Sequence, residues 1–159
     1  MVRMIKPRAG PVKPPPMPAH VVVSVPHSGT RSLVKHLHHF PHNHYPYDAK
    51  YRPAAHYRIH TPMRDPLAVA ESWARRGKAL SQLLLRYRYM FEYLTYVECI
   101  DADAPTFYRM EDIARLAGTD DADVSRGVTL PAVAEYQHAV LDHVVEPHRD
   151  FFASFGYNR

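Results

Sequence analysis

The sequence lacks features that disulfide-bonded, membrane-spanning and secreted proteins require. Cys99 is the only cysteine among 159 residues, which excludes an internal disulfide and a zinc site built from several cysteines. No apolar run approaches the roughly 20 residues that span a bilayer, so we expect no membrane partner. The basic N-terminus leads into prolines rather than into the apolar stretch of a signal peptide. Together these absences predict a protein of the reducing cytoplasm.

What is present is the composition of one globular domain. Hydrophobic residues make up 46% of the chain and charged residues 23%, close to the globular average. Residues 1–19 are rich in proline and basic side chains and have almost nothing apolar to bury, which predicts a flexible arm. Residues 20–159 are predicted to form a single domain. The net charge of +4 favours anionic ligands.

The order of apolar patterns predicts strands that alternate with helices. Val21–Val25 is a β-branched run typical of a strand buried on both faces of a parallel sheet. Asp65 and Pro66 predict a helix start, and Pro62 marks either an edge strand or a strand end. The other predicted elements are strands at 56–63 and 104–108, helices at 80–97 and 111–116, a helix from 131, and an ordered loop or lid at 41–53. This alternation predicts a three-layer α/β domain with a short parallel sheet flanked by helices.

The loop after the first strand has the residues that a phosphate site requires. Pro26–Ser32 joins the predicted strand to a helix, where backbone N–H groups can converge on one anion. Gly29 permits close approach of the backbone, and Ser28, Thr30 and Ser32 offer hydroxyl donors. An ordinary turn of the same composition is the alternative. The Gly-x-x-x-x-Gly-Lys-Ser/Thr sequence is absent, which argues against an ATPase or a kinase.

A second segment, Met63–Trp73, supports the phosphate interpretation. It places Arg64 at a strand end and Ser72 eight residues later, about two turns into the next helix. Both side chains can then reach a single phosphate from one side. Trp73 is either part of the helix core or a wall beside a nucleobase.

These segments resemble those of sulfotransferases that use 3′-phosphoadenosine-5′-phosphosulfate (PAPS). His27–Thr30 is similar to their 5′-phosphosulfate loop, usually Pro-Lys-Ser-Gly-Thr, and Arg64–Ser72 is similar to their 3′-phosphate motif. Phe107–Ile113 and Phe155–Tyr157 resemble two later segments of the family. The resemblance implies a P-loop-like fold and transfer of a sulfuryl group from PAPS to an acceptor hydroxyl or amine, leaving adenosine 3′,5′-bisphosphate (PAP). The donor-binding residues that it implies are His27, Ser28, Gly29, Thr30, Arg31, Ser32, Arg64 and Ser72.

The chain also departs from the family pattern. His27 occupies the position of the loop lysine that helps to neutralise the leaving phosphate, and imidazole is charged only part of the time at neutral pH. Arg31 and Lys35 are the candidates for the missing charge. The chain is shorter than most members, and Arg126–Gly127 is at best a remnant of their Arg-Lys-Gly segment. The alternatives are a non-catalytic module that binds a phosphonucleotide or, less favoured, nucleic acid, and a small nucleotide kinase.

Histidines are concentrated between the two phosphate motifs. The cluster consists of His36, His38, His39, His42 and His44. Because Pro41 interrupts it and no cysteine is nearby, we expect no metal site. Sulfuryl transfer needs a base for the acceptor proton, and family members carry one in this segment. His44 is the first candidate and His42 the second, with Asp48 the other titratable group; His27 is the catalytic candidate at the leaving phosphate.

Overall fold

The structure is a computed structural model that describes residues 19–46, 57–117 and 130–157. Its strands are β1 (Ala19–Ser24), β2 (His42–His44), β3 (Tyr57–Met63) and β4 (Thr106–Arg109). Its helices are α1 (Thr30–His36), α2 (Pro66–Arg75), α3 (Leu80–Cys99), α4 (Met110–Ala117), α5 (Leu130–Val140) and α6 (Arg149–Ala153). A π-helical turn (Leu141–Val145) and a 3-10 turn (Glu146–His148) connect α5 to α6. None of the helices in the described ranges combines the length and apolarity that crossing a bilayer requires.

The four strands form one parallel sheet in the order β2-β1-β3-β4. This confirms the predicted α/β class with a parallel sheet flanked by helices. Parallel strands end at the same edge of a sheet, so the segments after β1 and β3 lie side by side. Residues 1–18 of the predicted arm, Asp48 and Arg126–Gly127 lie outside the described residues.

Two local predictions are decided by the sheet. The prediction of a loop at 41–53 is wrong for His42–His44, which pairs with β1 as the edge strand β2. Backbone bonds form this pairing, from Val22 N–H to the Pro41 carbonyl (2.8 Å) and from Tyr45 N–H to the Ser24 carbonyl (3.0 Å). Pro62 lies at a strand end and not in an edge strand, because the pairing of β3 with β1 stops two residues earlier, at His60.

The core covers both faces of β1, as the apolar run Val21–Val23 predicts. Val21 and Val23 face a large cluster that includes residues of α2, α3 and α5, while Val22 faces Leu33 of α1 and Met110 of α4. All three valines are at most 1% exposed. Helices on both faces therefore hold β1 rigidly, which gives the loop that follows it a fixed starting point.

Candidate functional site

The loop Pro26–Ser32 is wound tightly between β1 and α1. Gly29 has a φ of +102°, and a Cβ atom there would lie 2.7 Å from Met110 Cγ, so both the backbone angle and the packing require glycine. Ser28 is buried, and its hydroxyl donates to the Val25 carbonyl at 2.6 Å. The Ser28 side chain thus holds the loop from within, while Thr30 and Ser32 line the space in front of it.

Two side chains from the neighbouring β3–α2 segment clamp the loop. The indole N–H of Trp73 donates to the Pro26 carbonyl at 3.0 Å, and an Arg64 Nη1 donates to the His27 carbonyl at 3.3 Å. The edge of the Trp73 ring also meets His27, with centroids 5.7 Å apart. Trp73 is 4% exposed and belongs to the core, which is one of its two predicted roles. Contacts to its carbonyls and the Ser28 side chain therefore hold the loop, and its other side chains can contact a ligand.

An open cleft of about 460 Å³ lies against this loop. Its walls are formed by Pro26, His27, Gly29, Thr30, Arg31, Ser32, His42, His44, Arg64, Ser72, Arg76 and Lys78. Every predicted donor-binding and catalytic residue except Ser28 is among them. Four of the walls' side chains carry a permanent positive charge, and no described residue of the walls is acidic. Such a surface attracts anions.

Helix α2 and the residues that flank it supply another part of the cleft wall. The Asp65 carboxylate accepts the Leu67 N–H at 3.0 Å and caps the helix, and Pro66 follows at its first position, as predicted. This start places Arg64 immediately before the helix. Ser72, two turns later, is 1% exposed yet reaches the cleft. The predicted pair Arg64 and Ser72 is thereby brought to one cleft.

Two cations of this wall, Arg76 and Lys78, were missed by the sequence interpretation. Gly77, with a φ of +64°, ends α2 in a left-handed turn in which the Lys78 N–H donates to the Trp73 carbonyl at 3.1 Å. This turn brings the Lys78 ammonium to 5.5 Å from the centre of the Trp73 ring. Arg76 follows Ser72 by four residues and so shares its helix face, a spacing that the sequence does show.

The later segments that resemble the sulfotransferase family support the end of β3. The Glu111 carboxylate accepts the Asp65 N–H at 3.0 Å and the Tyr157 hydroxyl at 2.6 Å. The Tyr157 hydroxyl also lies 3.0 Å from the Met63 carbonyl, which it can reach as a donor. Burial, followed by this bond to Glu111, raises the pKa of Tyr157 well above its ordinary value, so the hydroxyl keeps its proton. These contacts fix the backbone on both sides of Arg64.

His44 is a partly buried histidine of the cleft wall. Its Nδ1 lies 3.0 Å from the Ser24 hydroxyl. Burial lowers the pKa of His44 below its ordinary value; a hydrogen bond with the backbone of Ser24 opposes this shift, and the charges of Arg86, His42 and Lys78 add to it. At neutral pH the imidazole is therefore uncharged and able to accept a proton. His42 also lines the cleft but is exposed.

The other histidines of the cluster do not reach this site. His36, His38 and His39 are exposed and line no part of the cleft. Across residues 19–46, 57–117 and 130–157, no three His, Cys, Asp or Glu side chains are grouped to hold a metal ion. Of the two candidates for the missing loop charge, Arg31 lines the cleft and Lys35 does not.

Comparison with known proteins gives no relative. No protein-family model matches the sequence, and no curated protein or solved structure is similar to the chain. The residues of the cleft are therefore the basis for inferring a function.

Proposed function

We propose that the chain is a PAPS-dependent sulfotransferase with a three-layer, P-loop-like fold, whose cleft holds the donor. The observation that carries this proposal is the meeting of two segments that are distant in sequence. The loop Pro26–Ser32 and the pair Arg64 and Ser72 line one cleft, and each segment contributes a permanent cation. PAPS carries anionic groups at two positions of one nucleoside, which suits a cleft to which two chain segments each contribute a cation.

The two walls divide the donor between them. The loop wall, with Arg31, takes the 5′-phosphosulfate, and the α2 wall takes the 3′-phosphate. There Arg64 offers charge-assisted hydrogen bonds and Ser72 a neutral one. Arg76 and Lys78 add positive charge to this wall.

In the proposed reaction the acceptor oxygen or nitrogen attacks the sulfur of PAPS in line with the phosphate. Its proton passes to His44, and the bond between sulfur and the phosphate oxygen breaks, so that PAP leaves. His44 suits this role because burial lowers its pKa and keeps it neutral at the cleft wall. His42 is the second candidate for the base. His27 and Arg31 face the charge that develops on the leaving phosphate.

A module that binds the nucleotide without chemistry is the competing function, because histidine replaces the family's loop lysine. Calorimetry with PAP, ATP and a single-stranded oligonucleotide separates the classes of ligand, and PAP is expected to bind most tightly. Tighter binding of ATP or the oligonucleotide would contradict the proposal. Transfer of radiolabelled sulfate from PAPS to a panel of alcohols and amines then tests the chemistry, and PAP binding with no transfer favours the non-catalytic module.

A further inference from the structure

A chain of side-chain hydrogen bonds connects His44 to the loop beneath the cleft. The Ser24 hydroxyl lies 3.0 Å from His44 Nδ1 and 2.6 Å from the Thr30 hydroxyl. Ser24 has no exposed surface, and Thr30 is 7% exposed. His44 and Thr30 line the cleft while Ser24 does not. The serine is thus a buried bridge between two groups that a ligand can touch.

Two arrangements of this chain leave no buried proton unpaired. Each hydroxyl has one proton to give, and the buried Ser24 hydroxyl would have no acceptor for its own proton in the chain if it accepted both bonds. In the first, Thr30 donates to Ser24 and Ser24 donates to His44 Nδ1, so the neutral ring carries its proton on Nε2. In the second, His44 Nδ1–H donates to Ser24, Ser24 donates to Thr30, and Thr30 has its proton left for the cleft. Only the second arrangement leaves His44 Nε2 with a lone pair.

An anion in the cleft selects between the two arrangements. A phosphate oxygen accepts hydrogen bonds only, so a bound phosphate draws the Thr30 proton toward itself. Thr30 can then only accept from Ser24, and Ser24 can only accept from His44 Nδ1–H. Arg31, Arg64, Arg76 and Lys78 in the walls supply the charge that brings such an anion to this position.

We infer that Ser24 is a positioning residue that couples occupancy of the anion cleft to the tautomer of His44. With the cleft filled, the proton lies on Nδ1 and the Nε2 lone pair is available; with the cleft empty, the other tautomer is accessible. Under the proposed function, on which the use of this lone pair as a base rests, His44 becomes a competent base only when the donor is bound. The coupling itself requires only an anion.

The test measures the ring nitrogens of His44 by long-range nitrogen–proton NMR, above the usual histidine pKa of about 6.5. Spectra are recorded without ligand, with inorganic pyrophosphate and with PAP. Because the chain has twelve histidines, a His44→Gln spectrum assigns the signals. In the wild type, either ligand is expected to move the population to the Nδ1–H tautomer. In Ser24→Ala the tautomer population is expected to be the same with and without ligand, while pyrophosphate affinity changes by less than about threefold, since Ser24 does not line the cleft.

Matched variants distinguish an effect of the hydrogen-bond chain from an effect of packing. Thr61→Val removes another buried hydroxyl, which bonds to the Val23 carbonyl at 2.9 Å, and is expected to leave the tautomer response intact. Thr30→Val is expected to abolish the response and Thr30→Ser to restore it. These two variants keep the test decisive if Ser24→Ala fails to fold.

Three results would overturn the inference: no tautomer change in the wild type on binding, the same change in Ser24→Ala, or an unchanged response in Thr30→Val. Failure of this inference is distinguishable from failure of the proposed function. If pyrophosphate shifts the tautomer and PAP does not bind, the sulfotransferase proposal fails and the coupling stands. If PAP binds and the tautomer stays fixed, donor binding stands and the coupling fails.

Discussion

Two histidines on the same face of the sheet share one electrostatic property and differ in their surroundings. Burial lowers the pKa of both His44 and His60. His44 faces the cationic cleft and has a serine hydroxyl as its partner. His60 lies between His20 and Tyr108, with hydrogen bonds of 2.8 Å to each. His60 does not line the cationic cleft.

The difference teaches that a shifted pKa does not by itself mark a functional site. The group around His60 is aromatic: the Phe40 ring stacks on His20 with centroids 4.7 Å apart, and Tyr108 closes the other side. Such a group serves the stability of the sheet. Around His44, in contrast, the same loss of charge occurs beside cations and an open space that a ligand can fill. A lowered pKa beside cations and an open space indicates a functional site, whereas a lowered pKa alone does not.

The largest expected effect concerns His44, the histidine that lines the cleft. His44→Ala is expected to lower the rate of sulfuryl transfer by about 100-fold to 10,000-fold, as loss of a general base does. PAP affinity should change little, because the base acts on the acceptor. Rates are measured with PAPS saturating, and His60→Ala is the matched control, with a nearly normal rate per folded molecule. Normal turnover in His44→Ala, His42→Ala and the double variant would place the base elsewhere.

The next largest effect concerns the cationic wall of the cleft, which His44 lines and His60 does not. Arg64→Ala is expected to weaken PAP binding by about 10-fold to 100-fold, since it removes a charge-assisted contact of about 1.5 to 3 kcal/mol. AMP, which lacks the 3′-phosphate, should lose much less, and Ser72→Ala should show the same selectivity at smaller size. Calorimetry gives the affinities. Arg58→Ala, at the exposed start of β3, is the control. Equal losses for PAP and AMP would mean that Arg64 acts only through the loop carbonyl that it holds.

A third prediction concerns His60 and the pH dependence of the free energy of unfolding. The folded pKa of His60 is lowered, so its contribution to the free energy of unfolding is complete above about pH 6.5 and is lost as the pH falls toward the folded value. His60→Gln is expected to remove part of the stability loss between about pH 7 and pH 5. Urea titrations at several pH values measure this. Exposed His36→Gln should leave the slope unchanged; an unchanged slope in His60→Gln would contradict the assignment.

The smallest expected effect concerns His27 at the loop. If it faces the leaving phosphate, His27→Lys should keep or raise turnover by a fewfold and remove part of the rate loss above neutral pH, because lysine stays charged there. The pH dependence of turnover is the measurement. Abolished turnover with intact PAP binding would instead assign the imidazole a steric or basic role.

The sequence predicts the loop and the Arg64–Ser72 segment because both depend on short-range features. A β-branched run, a glycine that is required at Gly29, and the Asp65–Pro66 helix start each act within a few residues. Arg76 lies four residues after Ser72 at the end of the same helix, so its place in the cleft wall could also have been predicted from the sequence.

Strand β2 and the role of Ser24 were not predictable in this way. His42–His44 has no β-branched run, and its conformation comes from backbone bonds to β1. Ser24 looks like a single polar interruption of an apolar strand until β2 brings His44 to it. Lys78 likewise depends on the left-handed turn at Gly77, whose direction the sequence does not display. Strand β2 and the contact of His44 with Ser24 thus depend on tertiary pairing, while Lys78 depends on a local turn.

The most direct test of the account compares PAP with AMP on the unaltered protein. Trp73, the sole tryptophan, lies under the loop against His27 and Lys78, so its fluorescence is expected to report filling of the cleft. Calorimetry provides the affinities independently of that signal. If one cleft holds both anionic ends of the donor, PAP binds at least about tenfold more tightly than AMP, the worth of one charge-assisted contact. Equal affinities for the two nucleotides would contradict the central claim.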